Sequence, residues 1–299
     1  MANLIPEGIL LVDKPKGPTS FDIVAQTRRQ FKLKAVGHTG TLDPFATGLL
    51  VLLLGRYTRL CEYLTTQDKT YEAEICFGVG TDTDDCEGQV IATGDASHLT
   101  QDLINAALQS FLGDQLQVPP QYSAISIGGE RAYKKARRGE TIEFAPRPIT
   151  IFETSPLTPL HQVERGIKST SIHLRVSKGT YIRAIARDLG SKLGVPAHLT
   201  NLRRTASGEY LVSEASVELK TGISAIRGLP LISIDKLTAE ALKMGQRPEI
   251  EISPCLRQDF GRQVDLPSSK GGIKLAHLGE DPIALVKIEQ GRLLPVRGF

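Results

Sequence analysis

The run Leu49-Leu50-Val51-Leu52-Leu53-Leu54 constrains the fold more than any other stretch of the chain. It has no polar face, so it cannot lie on a surface, and its length suits a strand rather than a helix. It predicts a buried strand. Gly8-Ile9-Leu10-Leu11-Val12 reads as a second short buried strand. It ends in Asp13-Lys14-Pro15-Lys16-Gly17-Pro18, where two prolines and a glycine predict a loop. Tyr71, Ala73, Ile75, Phe77 and Val79 alternate with other residues, and so do Ile172, Leu174 and Val176. Period two marks half-buried strands.

Helices are expected between these strands. Thr19 with Asp22 fits a capping box, and the helix after it aligns Ile23, Val24, Thr27 and Phe31. Thr100 caps a helix bearing Leu103, Ile104, Ala107, Leu108 and Phe111, with Gly113 as its stop. A third helix starts near Thr180 and stacks Tyr181, Ile185, Leu189 and Leu193 at spacing four. Strands mixed with separate helices, without regular alternation, predict an α+β domain. From Leu229 onward, short strand-like runs broken by Pro and Gly (Leu231 to Ile234, Ile283 to Ile288) predict a small β-rich module.

Charge narrows the partners only locally. The net charge is +3, too small to identify a nucleic-acid binder by itself. Two clusters stand out. One holds Arg28, Arg29, Lys32 and Lys34. The other holds Arg131, Lys134, Lys135, Arg137, Arg138 and Arg147 beside Tyr122 and Tyr133, against Glu140 and Glu143. A single such cluster is ordinarily a solvated face; two with aromatic neighbours point to RNA phosphates. No run of about 18 apolar residues exists, so no membrane helix is expected. Met1 to Gly8 has no basic and apolar pattern, so no secretory signal is expected either. Cys61, Cys76, Cys86 and Cys255 form no CxxC pair, which predicts reduced thiols, no disulfide framework and no metal in a cytoplasmic protein.

The chemistry concentrates in Gly37-His38-Thr39-Gly40-Thr41-Leu42-Asp43-Pro44-Phe45-Ala46-Thr47-Gly48. Three glycines and a proline make it a loop, and it holds one carboxylate, Asp43. Most Asp-Pro pairs merely cap a turn. Loops between rigid elements also carry catalytic groups disproportionately. The pattern alone leaves both roles open.

This stretch resembles the signature of TruB-type pseudouridine synthases. Other blocks resemble the same family in the same order. They are Asp13-Lys14-Pro15 with Gly17, Lys69-Thr70-Tyr71, and the acidic turn Thr81 to Gly88. Pro119-Pro120 with Tyr122-Ser123-Ala124 follows, then Gly129, Arg131 and Tyr133, then Gly179-Thr180-Tyr181-Ile182-Arg183 with Asp188-Leu189-Gly190. The blocks span roughly residues 8 to 205.

The resemblance implies a mixed, largely antiparallel sheet flanked by helices. It divides the chain into a catalytic domain over 1–228, with an RNA-clamping insertion near 119–148, and a PUA-like RNA-binding module over 229–299. The ending Gly291 to Arg297 resembles that module's last strand, while Ser253 to Gly272 matches poorly. The tail carries ten Lys and Arg against nine Asp and Glu, so charge does not mark it as an RNA surface.

The implied activity is isomerisation of a flipped-out uridine in the T loop of tRNA, at position 55, by a monomer without cofactor. Asp43 is the implied catalytic carboxylate. Arg183 is implied to pair with it, where its ordinary place would be a surface arginine in a helix's first turn. Tyr71 is implied to stack on the uracil, though a core role suits a strand tyrosine equally. Tyr181 and Leu202 are implied to wall the pocket, His38 to hold the RNA loop, and Lys14 to support the N-terminal loop; the last two could equally be solvated. Arg131, Tyr133, Lys134, Arg137 and Arg138 are the implied clamp. A non-catalytic tRNA-binding or folding protein on the same scaffold is the alternative, disfavoured by the Asp43, Tyr71 and Arg183 set. A relative working with guide RNA ranks lower, because the chain offers no long basic tail.

Overall fold

The computed structural model describes residues 6–123, 125–127, 129–136, 138–140, 142–249, 272–289 and 292–299. Cys255, Arg137 and most of Ser253 to Gly272 lie outside the described residues, as do the side chains of Arg131, Tyr133 and Lys134.

The chain runs β1 (Gly8–Lys14), α1 (Ser20–Phe31), β2 (Val36–His38), β3 (Thr47–Leu54), α2 (Cys61–Leu64), β4 (Lys69–Phe77), β5 (Val79–Thr81) and β6 (Val90–Thr93). It continues with α3 (Gln101–Gln109), β7 (Gly113–Gln117), β8 (Ser126–Ile127), β9 (Glu130–Arg131), α4 (Ala132–Ala136), β10 (Arg147–Pro156), β11 (His161–Glu164), β12 (Ile167–Val176), α5 (Ile182–Lys192), β13 (Ala197–Ser207) and β14 (Tyr210–Leu211). The last part holds β15 (Leu231–Ser233), α6 (Lys236–Lys243), β16 (Lys274–Leu278), β17 (Asp281–Glu289) and β18 (Arg292–Gly298).

One sheet of ten strands, in the order β1-β3-β13-β4-β12-β10-β7 with β2, β11 and β14 beside it, forms the body. Its pairings are antiparallel except for β3 with β13. This is the expected mixed, largely antiparallel sheet.

The apolar run in β3 is buried on both faces. Leu50, Leu52 and Leu54 pack with Leu10 of β1 and with Ile23 and Val24 of α1. Leu49, Val51 and Leu53 pack with Ile9, Leu11, Tyr57 and Leu60, and with Leu275 and Leu285 from the C-terminal sheet. Full burial of such a side chain contributes roughly 2 kcal/mol each. A third cluster joins β4, β12 and β10 to α3 and α5 through Ile75, Phe77, Ile104, Leu108, Ile172, Leu174, Ile185 and Leu189.

The capping box forms: the Thr19 hydroxyl accepts from the Asp22 amide, and the Asp22 carboxylate accepts from the Thr19 amide. The buried face of α1 is Ser20, Ile23, Val24 and Thr27. The structure corrects several boundaries. β1 continues through Asp13 and Lys14, because both pair with β3 before the prolines end the ladder. Gly37 and His38 pair with β3 rather than lying in the loop. Val79 belongs to β5, since Gly78, at φ +105, breaks the strand. α3 ends at Gln109, and Gly113 opens β7 instead of stopping the helix. Leu103 is exposed, outside the 3.6-residue stripe of Ile104, Ala107 and Leu108.

The tail is a sheet ordered β15-β16-β17-β18 with α6 packed against it. Its β-rich character was expected; α6, capped by Asp235, was not. The tail also shares a core with the main sheet through Leu275 and Leu285. No helix among the described residues is long and apolar enough to cross a membrane.

Candidate active site

Asp43 sits in the loop between β2 and β3, and that loop is anchored along its length. The Asp43 carbonyl accepts from the Ala46 amide at 3.1 Å, closing a turn. One residue earlier, the Ser20 hydroxyl at the start of α1 accepts from the Leu42 amide at 2.8 Å and donates to the Leu42 carbonyl at 3.1 Å. One residue later, the Pro44 carbonyl accepts from the Gly17 amide at 2.8 Å and from Lys14 Nζ at 3.3 Å. Lys14 is fully buried and also donates to the Pro15 and Pro18 carbonyls, each at 2.9 Å. Burial lowers its pKa, and the nearby Asp43 carboxylate opposes that fall. Lys14 therefore ties the N-terminal loop to the Asp43 loop.

Arg204 grips the base of the loop from below. It is 2 % exposed. Its guanidinium donates to the carbonyls of Gly40 at 3.1 Å, Thr41 at 3.4 Å and Leu49 at 2.7 Å. Gly48 is required here: at φ +101, a Cβ would sit 2.3 Å from the Arg204 carbonyl oxygen. Lys69 lies beside Arg204 and donates to the Thr65 and Gln67 carbonyls. Burial, and then Arg204, push its pKa down to about 7.

The carboxylate of Asp43 meets Arg183. Arg183 Nε lies 3.0 Å from Asp43 Oδ2. Arg183 is buried in the first turn of α5. Its other nitrogens donate to the Thr83 carbonyl at 2.9 Å and the Tyr122 carbonyl at 3.0 Å. Asp85 Oδ2 lies 3.5 Å from Nη1. Asp85 is itself fixed by the Thr83 hydroxyl at 2.6 Å and the Glu87 amide at 3.0 Å. A guanidinium with its donors filled this way cannot turn away from the carboxylate it faces. Arg187, one turn further along α5, pairs with Asp84 at 3.1 Å. Burial outweighs that pairing and raises Asp84 to about 6.

Tyr181 caps α5 in extended conformation. Gln117 of β7 brackets its backbone, donating to the carbonyl at 3.0 Å and accepting from the amide at 2.9 Å. Burial raises the Tyr181 phenol, and Asp43 and Arg183 act on it from close by. Tyr71 and Leu202 share one apolar cluster with Ile182 and with Leu42 and Phe45, loop residues on either side of Asp43 in sequence. His38 is half-buried, and its Nδ1 accepts from the Gly40 amide at 3.2 Å. Its pKa is lowered by burial and by Arg204.

The loop and α5 thus bring Asp43 and Arg183 into contact, with Tyr181 at the head of α5; Lys14 and His38 bond to the same loop, and Tyr71 and Leu202 share an apolar cluster with its Leu42 and Phe45. Of the expected clamp residues, Arg138 is the one whose side chain is described. Arg138 is bound within the chain, donating to Glu130 at 2.7 and 2.9 Å and to Glu140 at 2.9 Å. Its charge is already answered there. The backbone of Arg131 belongs to β9 and that of Tyr133 and Lys134 to α4.

Sequence reasoning missed Ser20, Asp85, Gln117 and Arg204. Arg204 left one signal: it lies two residues after Leu202, in phase with a buried strand face. Ser20 and Gln117 left none, because their partners are backbone atoms far along the chain.

Comparison with known proteins identifies the family. The profile described as "TruB family pseudouridylate synthase (N terminal domain)" matches residues 28–182. The profile "tRNA pseudouridylate synthase B C-terminal domain" matches residues 183–224. The tRNA pseudouridine synthase B of Opitutus terrae is 44% identical over 230 residues, covering 77% of this chain and 91% of that protein. The protein of the same name from Corynebacterium glutamicum (strain R) is 39% identical over 297 residues, covering 97% and 95%. Among solved structures, a chain of an H/ACA RNP bound to a substrate RNA containing 2'-deoxyuridine superimposes with a TM-score of 0.66 at 21% identity. It covers 98% of this chain and 84% of the other, so it speaks for the fold alone. A chain of an archaeal box H/ACA sRNP gives the same TM-score, 0.66, at 22% identity, covering 98% and 86%. The chain, with its anchored Asp43 loop and its matched N- and C-terminal profiles, belongs to the TruB family of pseudouridine synthases, enzymes that act on tRNA.

Proposed function

We propose that this enzyme converts uridine to pseudouridine in the T loop of tRNA, at position 55, with Asp43 as its catalytic carboxylate. The observation that carries the reading is the 3.0 Å pairing of the buried Arg183 with Asp43, whose loop neighbours Leu42 and Phe45 share an apolar cluster with Tyr71 and Leu202. In the net reaction the N1–C1′ bond breaks, a C5–C1′ bond forms, and the C5 proton is replaced by one on N1. Substrate and product are isomers, so the balance needs no electron donor, no acyl or phosphoryl donor and no water. One ionised carboxylate held beside the sugar and base is the chemical requirement. Asp43 is that group, and Arg183 orients it.

The target uridine lies in a folded loop, so it leaves the stack to reach Asp43. Tyr71 then stacks on the uracil, Leu202 and Tyr181 line its sides, and His38 supports the opened RNA loop. Lys14 keeps the N-terminal loop in register with the Asp43 loop. Arg131, Tyr133, Lys134 and Arg137 contact the RNA backbone from the 119–148 insertion. Arg138 braces that insertion through Glu130 and Glu140. The enzyme works as a cytoplasmic monomer, with residues 1–228 catalytic and 229–299 as a PUA-like accessory domain.

The test is Asp43→Asn, which keeps the shape of the side chain and removes its charge. Pseudouridine formation on a T-arm stem-loop, followed by mass spectrometry, is expected to fall to background while RNA affinity stays close to wild type. Turnover at the wild-type rate in this variant would remove Asp43 from the mechanism.

A further inference from the structure

Phe21 sits on the first turn of α1 and is 64% exposed, while Ser20 beside it is buried and grips Leu42, the residue before Asp43. The helix has an ordinary apolar face, and Phe21 is not on it. Isolated exposed apolar side chains are common, so exposure alone decides nothing. Three further observations do. First, the Ser20–Leu42 contact ties the residue before Phe21 to the residue before Asp43. Second, the Arg28 guanidinium lies 5.8 Å from the centre of the Phe21 ring. Arg28 is tethered by donation to the Val36 carbonyl at 3.0 Å, and its buried Nε has no hydrogen-bond partner. Third, Arg29, Lys32 and Lys34 are exposed at the far end of the same helix and just beyond it. Asp22, the residue after Phe21, is occupied in the capping box.

An exposed aromatic ring with a tethered guanidinium beside it and further cations along the same helix matches what an unstacked nucleotide requires: a flat apolar face for the base and positive charge for the phosphate. We propose that Phe21 is a stacking platform for a nucleobase of the tRNA substrate, displaced from the RNA stack beside the target uridine. Flipping one base out of a folded loop removes a stacking partner from its neighbour. The exposed Phe21 ring replaces that partner and stabilises the opened loop. Arg28 lies beside the ring. This rests on tRNA as the substrate but not on the role given to Asp43.

The chain contains no tryptophan, so Phe21→Trp installs a single fluorescent reporter at the platform. The measurements are equilibrium dissociation constants for a T-arm stem-loop and for whole tRNA, at several salt concentrations, with wild type, Phe21→Ala and Phe21→Trp. Circular dichroism verifies folding, which a surface position leaves intact. Phe21→Ala is expected to weaken binding about 10-fold with an unchanged salt slope, because stacking releases no counterion. Phe21→Trp is expected to bind, with its emission quenched on saturation. Wild-type affinity in Phe21→Ala, or tryptophan emission unmoved at saturation, overturns the proposal. A loss of affinity with a shallower salt slope overturns it too, since the lost contact is then ionic. Binding is read without turnover, so an active Asp43→Asn enzyme would discard the catalytic assignment and leave this result standing.

Discussion

Single residues in this site are held mostly by backbone carbonyls. Lys14, Lys69 and Arg204 are all buried and all donate to carbonyl oxygens. Their charge costs solvation, and the carbonyl dipoles offset part of that cost. Lys69 shows the remainder, since burial and Arg204 push its pKa from 10.5 down to about 7. In the unfolded chain the ammonium keeps the value 10.5. Between pH 7 and 10.5 the unfolded state therefore binds more protons than the folded state, and stability rises with pH across that window. The slope from this one group approaches about 1.4 kcal/mol per pH unit. Lys69→Met is expected to remove it. Urea unfolding measured at several pH values in this range reads the difference, and parallel pH profiles for wild type and variant would refute the shift. None of this was legible in the sequence, where Lys69 is one lysine before a tyrosine.

At the scale of elements, α1 does two jobs with neighbouring residues. Its buried face, Ile23 and Val24, closes the core over β1 and β3. Its first turn fixes the Asp43 loop through Ser20. The capping box was visible as Thr19 and Asp22, because that motif is local. The Ser20–Leu42 contact spans 22 positions and was not visible. Ser20→Ala leaves a buried amide and carbonyl of Leu42 without their partner, which costs about 1–3 kcal/mol. The loss also frees the residue before Asp43. The expected result is a modest fall in Tm together with a fall in single-turnover rate that exceeds any loss of tRNA affinity. A variant that lost stability but kept the wild-type rate would show that the contact serves folding alone.

The whole molecule is built around β3. Its two faces are covered by elements from opposite ends of the chain, α1 on one side and the C-terminal sheet on the other. Leu285 is fully buried in the shared cluster with Ile9, Leu11 and Leu49. Leu285→Ala is expected to cost about 2–5 kcal/mol and to destabilise the chain as one unit. Far-UV circular dichroism and tyrosine fluorescence should then give coincident, lowered melting curves. Two separated transitions, with only the tail shifted, would mean that the C-terminal sheet folds independently. The sequence by itself determined β1, β3, β4 and β12, the capped starts of α1 and α3, the loop that holds Asp43 and the family resemblance, because hydrophobic period, turn chemistry and ordered motifs are local properties. Only the tertiary structure decided which carbonyls receive Lys14 and Arg204, which acid braces Arg183, where Phe21 stands and what covers the second face of β3. Those contacts join residues far apart in the chain, and their energy comes from burial that no short window of sequence contains.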